Sequence, residues 1–97
     1  MRKSLFLLIL LAGTAWAAET HETARQAVER GELLPLSTIL ARVEKEFPGR
    51  VVEVELERRG KRFVYEIEVL QDGGRVVEVK YDGRTGEQLS VELEDDD

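Results

Sequence analysis

Phe63-Val64-Tyr65-Glu66-Ile67-Glu68-Val69 nearly alternates apolar and polar side chains, with Phe63, Tyr65, Ile67 and Val69 on one side. A period of two is the mark of a strand with one buried and one wet face. Similar runs flank it: Val52-Glu53-Val54-Glu55-Leu56-Glu57 before and Val76-Val77-Glu78-Val79-Lys80-Tyr81 after. Turn-forming stretches separate the three, so the central strand reads as the middle of an antiparallel meander. The first strand spans about Val51 to Arg58, the second Arg62 to Leu70 and the third Arg75 to Tyr81. Asp72-Gly73 is a strong hairpin signal between the last two. A fourth strand, Glu87 to Leu93, alternates Leu89, Val91 and Leu93.

Upstream of the strands, Thr38 to Phe47 reads as the main helix, capped by Ser37 and stopped by Pro48-Gly49. Its Ile39, Leu40, Val43 and Phe47 share one face. That stripe needs a surface, and the sheet offers Val52, Val54 and Leu56, then Phe63, Tyr65, Ile67 and Val69, then Val77, Val79, Tyr81, Leu89 and Val91. Ala18 to Arg30 predicts a shorter helix with Thr20 as N-cap, Ala24, Ala27 and Val28 at helical spacing, and Gly31 as a left-handed terminus. Between the helices, Leu33, Leu34 and Leu36 predict a plug for one end of the core. The fold class is therefore α+β: one main helix on a three- to four-stranded antiparallel meander, with a short N-terminal helix.

The chain of 97 residues begins with Arg2 and Lys3, an apolar run from Leu5 to Leu11, and Ala15-Trp16-Ala17. This is the pattern of an export signal cut after Ala17, and the run is too short for a stable membrane span. The organisation expected is residues 1–17 as signal, 18–36 as first helix and connector, 37–93 as the α+β domain and 94–97 as an acidic tail. Loss of the signal leaves 80 residues, removes two basic and no acidic groups, and takes the net charge from −6 to −8. Such a domain repels nucleic acid and anionic lipid and keeps no membrane anchor, so a charge-steered partner is basic or a cation. The absence of cysteine excludes disulfides, thiol catalysis and thiolate metal sites. A core this small stabilises by ~3–5 kcal/mol, which favours help from homodimerisation or a partner.

No residues converge on catalysis. His21 is the sole histidine and Ser37 serves as a cap. The Gly73-Gly74 and Gly83-x-x-Gly86 spacings are turns rather than phosphate loops, because no helix follows them. The distinctive feature is the wet side of the sheet. Opposite parity gives Glu53, Glu55 and Glu57, then Glu66 and Glu68, then Glu78, then Glu92, with Lys80 as the clear cation. Like charges facing each other across strands are destabilising. Two readings of this face stay open: a solvated surface, or a docking surface for a basic protein, a peptide or a divalent cation. In the docking reading the contact residues are Glu53, Glu55, Glu66, Glu68 and Glu78, with Val64 and Val76 pointing outward as an apolar centre.

The combination Pro48-Gly49-x-Val51, Val54-Glu55-Leu56-Glu57, Tyr65-Glu66-Ile67-Glu68-Val69, Asp72-Gly73, Val79 and Tyr81-Asp82-Gly83-Arg84-Thr85-Gly86-Glu87 resembles a PepSY domain. The likeness runs from about Ala24 to Val91, and the lead-in Ala24-Arg25-Gln26-Ala27-Val28-x-x-Gly31 resembles small, single-domain, exported members. It implies one helix on an antiparallel sheet, and a role in inhibiting or moderating peptidases, as in propeptides of thermolysin-like metallopeptidases. Membrane-associated regulators share the domain, and small members accompany two-component sensors. The resemblance transfers no active site, cofactor or metal. It implies a non-enzymatic periplasmic module that binds a protein, a peptidase or sensor ectodomain, with a cation-responsive acidic face as the alternative.

Overall fold

A computed structural model describes residues 21–94. The expected signal segment 1–17, the Thr20 cap and the terminal aspartates lie outside the described residues. Helix α1 covers 21–29, and α2 runs Leu36–Glu46. Four strands follow: β1 (Arg50–Arg59), β2 (Arg62–Gln71), β3 (Arg75–Asp82) and β4 (Gln88–Glu94). They pair antiparallel in the order β1-β2-β3-β4, so the α+β meander expected from the alternation is the fold.

The sheet's middle carries the core. Tyr65, Ile67 and Val69 of β2 stand opposite Tyr81, Val79 and Val77 of β3, and all six are buried. Ile39 and Val43 of α2 cover them, while Leu40 and Phe47 pack at the margin. Full burial of each large aliphatic is worth roughly 1.5–3 kcal/mol.

Helix α1 ends as a Schellman turn: Gly31 N–H bonds to the Val28 carbonyl at 3.1 Å and Glu32 N–H to the Ala27 carbonyl at 2.8 Å. That 5→2 and 6→1 pair needs a left-handed residue, and Gly31 has φ +76°. Ala27 and Leu33 are buried in the core cluster. Leu33 plugs the end of the core as expected, Leu34 is half-buried, and Leu36 is 36% exposed.

Three expectations are corrected. The main helix begins at Leu36, with Pro35 as N-cap and no side-chain cap bond, so Ser37 sits inside the first turn. The connector explains the early start. Leu34 N–H bonds to the Gly83 carbonyl at 2.7 Å, and the Tyr65 hydroxyl donates to the Leu34 carbonyl at 2.7 Å. The chain is thus pinned one residue before Pro35, whose extended ψ of 148° launches the helix. Second, Val52 is left out of the paired inner row and is 50% exposed. Register shifts between Val51 and Glu53, so Val51 faces Val69 and Val52 is the extra residue of a bulge. Third, Leu89 is likewise extra, because Lys80 faces Ser90 and Tyr81 faces Gln88. Bulges reset the strand parity locally, which an alternation read straight through cannot register. At the edges, Val54, Val91 and Leu93 lie on inner rows yet are 37%, 41% and 59% exposed, because α2 spans only the central strands.

Candidate functional site

The two strand pairings beside β2, together with that of β4, place the outward glutamates in rows. Glu53, Glu68, Glu78 and Glu92 stand opposite one another across all four strands. The adjacent row is Glu55, Glu66, Lys80 and Ser90. Glu53, Glu55, Glu66, Glu68 and Glu78 line a shallow cleft of about 90 Å³. Five of the seven glutamates that parity assigns to this face, the five named as docking contacts, are therefore brought together.

Their protonation is mutually arranged. Partial burial, then hydrogen bonding with Glu53 and Glu66, pushes the Glu55 carboxyl up to about 7. Glu78 is pushed up to about 7 by hydrogen bonding with Glu66 and by burial. Burial alone would raise Glu66 too. Hydrogen bonds from Glu78 and Glu55, with the Lys80 charge, outweigh it and hold Glu66 below the usual carboxylate range. The Lys80 ammonium lies 3.6 Å from the Glu66 carboxylate. The picture is one ionised centre, Glu66, flanked by two proton-holding neighbours. Glu68 is raised by burial and by the charges of Glu53, Glu94 and Glu66.

Glu94 is the residue sequence reasoning missed. It belongs to β4 rather than to a tail and faces Val76, and its carboxylate joins Glu68 and Glu78 with oxygens within 4.8 Å of one another. The signal was the period of two from Glu92, cut one residue short. Glu55, Glu57 and Glu66 form a second such triple. Carboxylate oxygens suit hard cations, but calcium takes 6–8 oxygens, and Glu55 and Glu94 are exposed.

The apolar centre expected of this face is only half present. Val76 is half-buried on the outer side. Val64 points to the same side but is 3% exposed, so it offers almost no contact surface. Its row partners are Glu57 and Asp82, and Arg62 reaches past it to Asp82 at 3.1 Å.

The Asp-x-x-Thr-Gly-Glu segment is a structural turn. One Asp82 carboxylate oxygen accepts the main-chain N–H of Arg84 at 2.8 Å and of Thr85 at 3.0 Å. Gly86 N–H bonds to the Asp82 carbonyl, and Glu87 N–H to the Thr85 hydroxyl. The Thr85 N–H, above all, holds the Asp82 carboxyl below its ordinary value against a burial penalty. The next residue, Gly83, touches the core: a Cβ there would meet Leu33 Cδ1 at 2.6 Å and Phe63 Cβ at 2.9 Å. Arg42 of α2 donates to the Gly86 carbonyl, and the Tyr81 hydroxyl to Glu46 at 3.0 Å. The first bond ties the helix to the turn and the second ties it to β3.

His21 lies exposed on α1, and Ser37 exposed on α2. Among the described residues, no helix is long and apolar enough to cross a membrane. No curated protein and no solved structure matches the chain significantly. The family model described as the peptidase propeptide and YPEB domain, PepSY, matches residues 33–92, which takes in the connector, α2 and the meander almost to the end of β4. With more than half of its length so matched, the chain belongs to the PepSY family.

Proposed function

We propose that this protein is a non-enzymatic module of the periplasm that binds a protein partner, either a peptidase or the ectodomain of a two-component sensor, and moderates its activity. Membership of a family named for peptidase propeptides carries this reading. Domains of the family are typically propeptide or inhibitor-like rather than catalytic, and they occur in exported proteins. Export rests on the basic, apolar and small-residue pattern of residues 1–17.

The contact surface proposed is the outer face, with Glu53, Glu55, Glu66, Glu68 and Glu78 at its centre and Val76 beside them. Rows of carboxylates on a rigid sheet complement a basic segment of the partner and speed its encounter. Affinity capture from a periplasmic extract tests the reading. The parent should retain a specific peptidase or sensor, and the double variant Glu68→Lys/Glu78→Lys should lose it. Equal retention by the two would remove this face from the account.

The carboxylate triples favour a second reading, a cation-responsive binder. Calorimetry with calcium decides it. Heat and a rise in melting temperature, both lost in Glu66→Gln, are expected if the face takes a cation. No response at millimolar calcium would end this reading.

A further inference from the structure

The protein is acidic, yet one end of the sheet is not. The β1–β2 turn, the end of α1 and the β3–β4 turn meet around a cleft of about 840 Å³. Six of the chain's 14 basic residues line it: Arg30, Arg58, Arg59, Lys61, Arg62 and Arg84. Glu32 and Asp82 are the carboxylates on the lining. Asp82 is already occupied by two main-chain N–H groups and by Arg62. Arg30 meets Glu32 at 3.3 Å and Arg59 meets Glu57 at 3.2 Å, with Arg30, Glu32 and Arg59 well exposed and Glu57 partly so. Exposed pairs of this kind are worth only ~0.2–1 kcal/mol, so an incoming carboxylate can exchange with them. Among the described residues, Lys61 and Arg84 have no carboxylate partner at all. Arg58 lies over the Phe63 ring, 5.2 Å from its centroid, with its Nε bonded to the Gly60 carbonyl. That stacking presents a pre-oriented guanidinium, and planar guanidinium forks match carboxylates in two-point contact.

We propose that this cleft binds an acidic peptide segment of a protein partner. Its size falls within the usual ~300–1,000 Å³ of ligand clefts. Charge complementarity selects the ligand, and the rest of the molecule narrows it. Broad anionic surfaces, membranes and nucleic acid, would bring their charge against the glutamate rows of a chain with net charge −6. A single extended acidic segment can enter the cleft alone. This site stands apart from the outer-face reading, since the two attract opposite charges and either can fail without the other.

The test uses the full chain and a fluorescein-labelled hexaglutamate peptide, read by fluorescence anisotropy at low ionic strength. Saturable binding is expected, weakened by added salt and at least about tenfold by Lys61→Glu/Arg84→Glu, a loss of about 1.4 kcal/mol. Both residues are exposed, and circular dichroism checks that the variant folds; the milder Lys61→Gln/Arg84→Gln should weaken binding in the same direction. Glu68→Lys/Glu78→Lys should not weaken it, which separates this site from the acidic face. Absence of saturable binding, or binding indifferent to both cleft variants, would overturn the proposal. So would displacement of the peptide by millimolar inorganic phosphate beyond that caused by sodium chloride of equal ionic strength, or tighter cleft-dependent binding to a single-stranded oligonucleotide or to phosphatidylcholine–phosphatidylglycerol vesicles.

Discussion

Glu68 stands directly opposite Glu78 on the β2–β3 ladder, at the centre of a row of four glutamates. Like charges in that position repel, and the protein meets the repulsion by keeping protons on part of the cluster. Glu55 and Glu78, both near 7, hold protons in the folded state over a range where the unfolded chain has lost them. Stability from these groups is full below the unfolded value of 4.5 and is lost as pH rises towards about 7. Glu78→Gln keeps a hydrogen-bond donor for Glu66 and removes the titration. At pH 8 it should stabilise by about 1 kcal/mol after allowance for solvent screening. For a domain of this size that is ~4–8 °C in melting temperature. Near pH 5 the gain should almost vanish, and thermal melts across pH check both.

Asp82 works in the other direction. Its carboxyl is held below the ordinary 3.8, so its contribution is present above that value and fails as pH falls through the lower, folded one. The combined contribution of these groups is greatest at roughly pH 4–5, between the two limbs. Asp82→Ala leaves the Arg84 and Thr85 N–H groups without their acceptor. The expected loss is roughly 1.5–3 kcal/mol by denaturant titration. The variant should also lose part of the acid limb of the parent's pH profile, the remainder belonging to Glu66, which is likewise held below its ordinary value.

Ile67 is wholly buried beneath α2 on the central strand. Ile67→Ala should cost about 2–5 kcal/mol, enough to unfold much of a domain whose core supplies only ~3–5 kcal/mol. Urea titration followed by circular dichroism reads the change. A variant that unfolds at the parent's midpoint would deny Ile67 its place in the core.

Gly83 should tolerate no side chain. Gly83→Ala drives a methyl against Leu33 and the Phe63 backbone, and overpacking of this kind costs ~1–3 kcal/mol. The damage should be local as well as global. Hydrogen exchange at Leu34, whose N–H bonds to the Gly83 carbonyl, should accelerate more than exchange at Val79.

The alternation around Tyr65 was enough to read the four strands and the parity of their faces, because each run is long and its turns carry glycine. The bulges at Val52 and Leu89 were not legible: an extra residue changes the pairing without changing the local pattern. The helix start was misplaced for a related reason. Ser37 has the chemistry of a cap, but the bonds that fix Leu34 come from Gly83 and Tyr65, far along the chain. Parity likewise found the glutamate face. It could not tell that Val64 is covered, nor that three loop regions distant in sequence gather their arginines into one cleft.

The central claim is that the outer sheet face meets the partner. Amide chemical-shift mapping of the labelled protein, with the captured partner added, tests it most directly. The account predicts perturbations concentrated at Glu53, Glu66, Glu68, Val76 and Glu78, and absent in Glu68→Lys/Glu78→Lys. Perturbations confined to α2 and the exposed inner-row residues Val54, Val91 and Leu93 would contradict it.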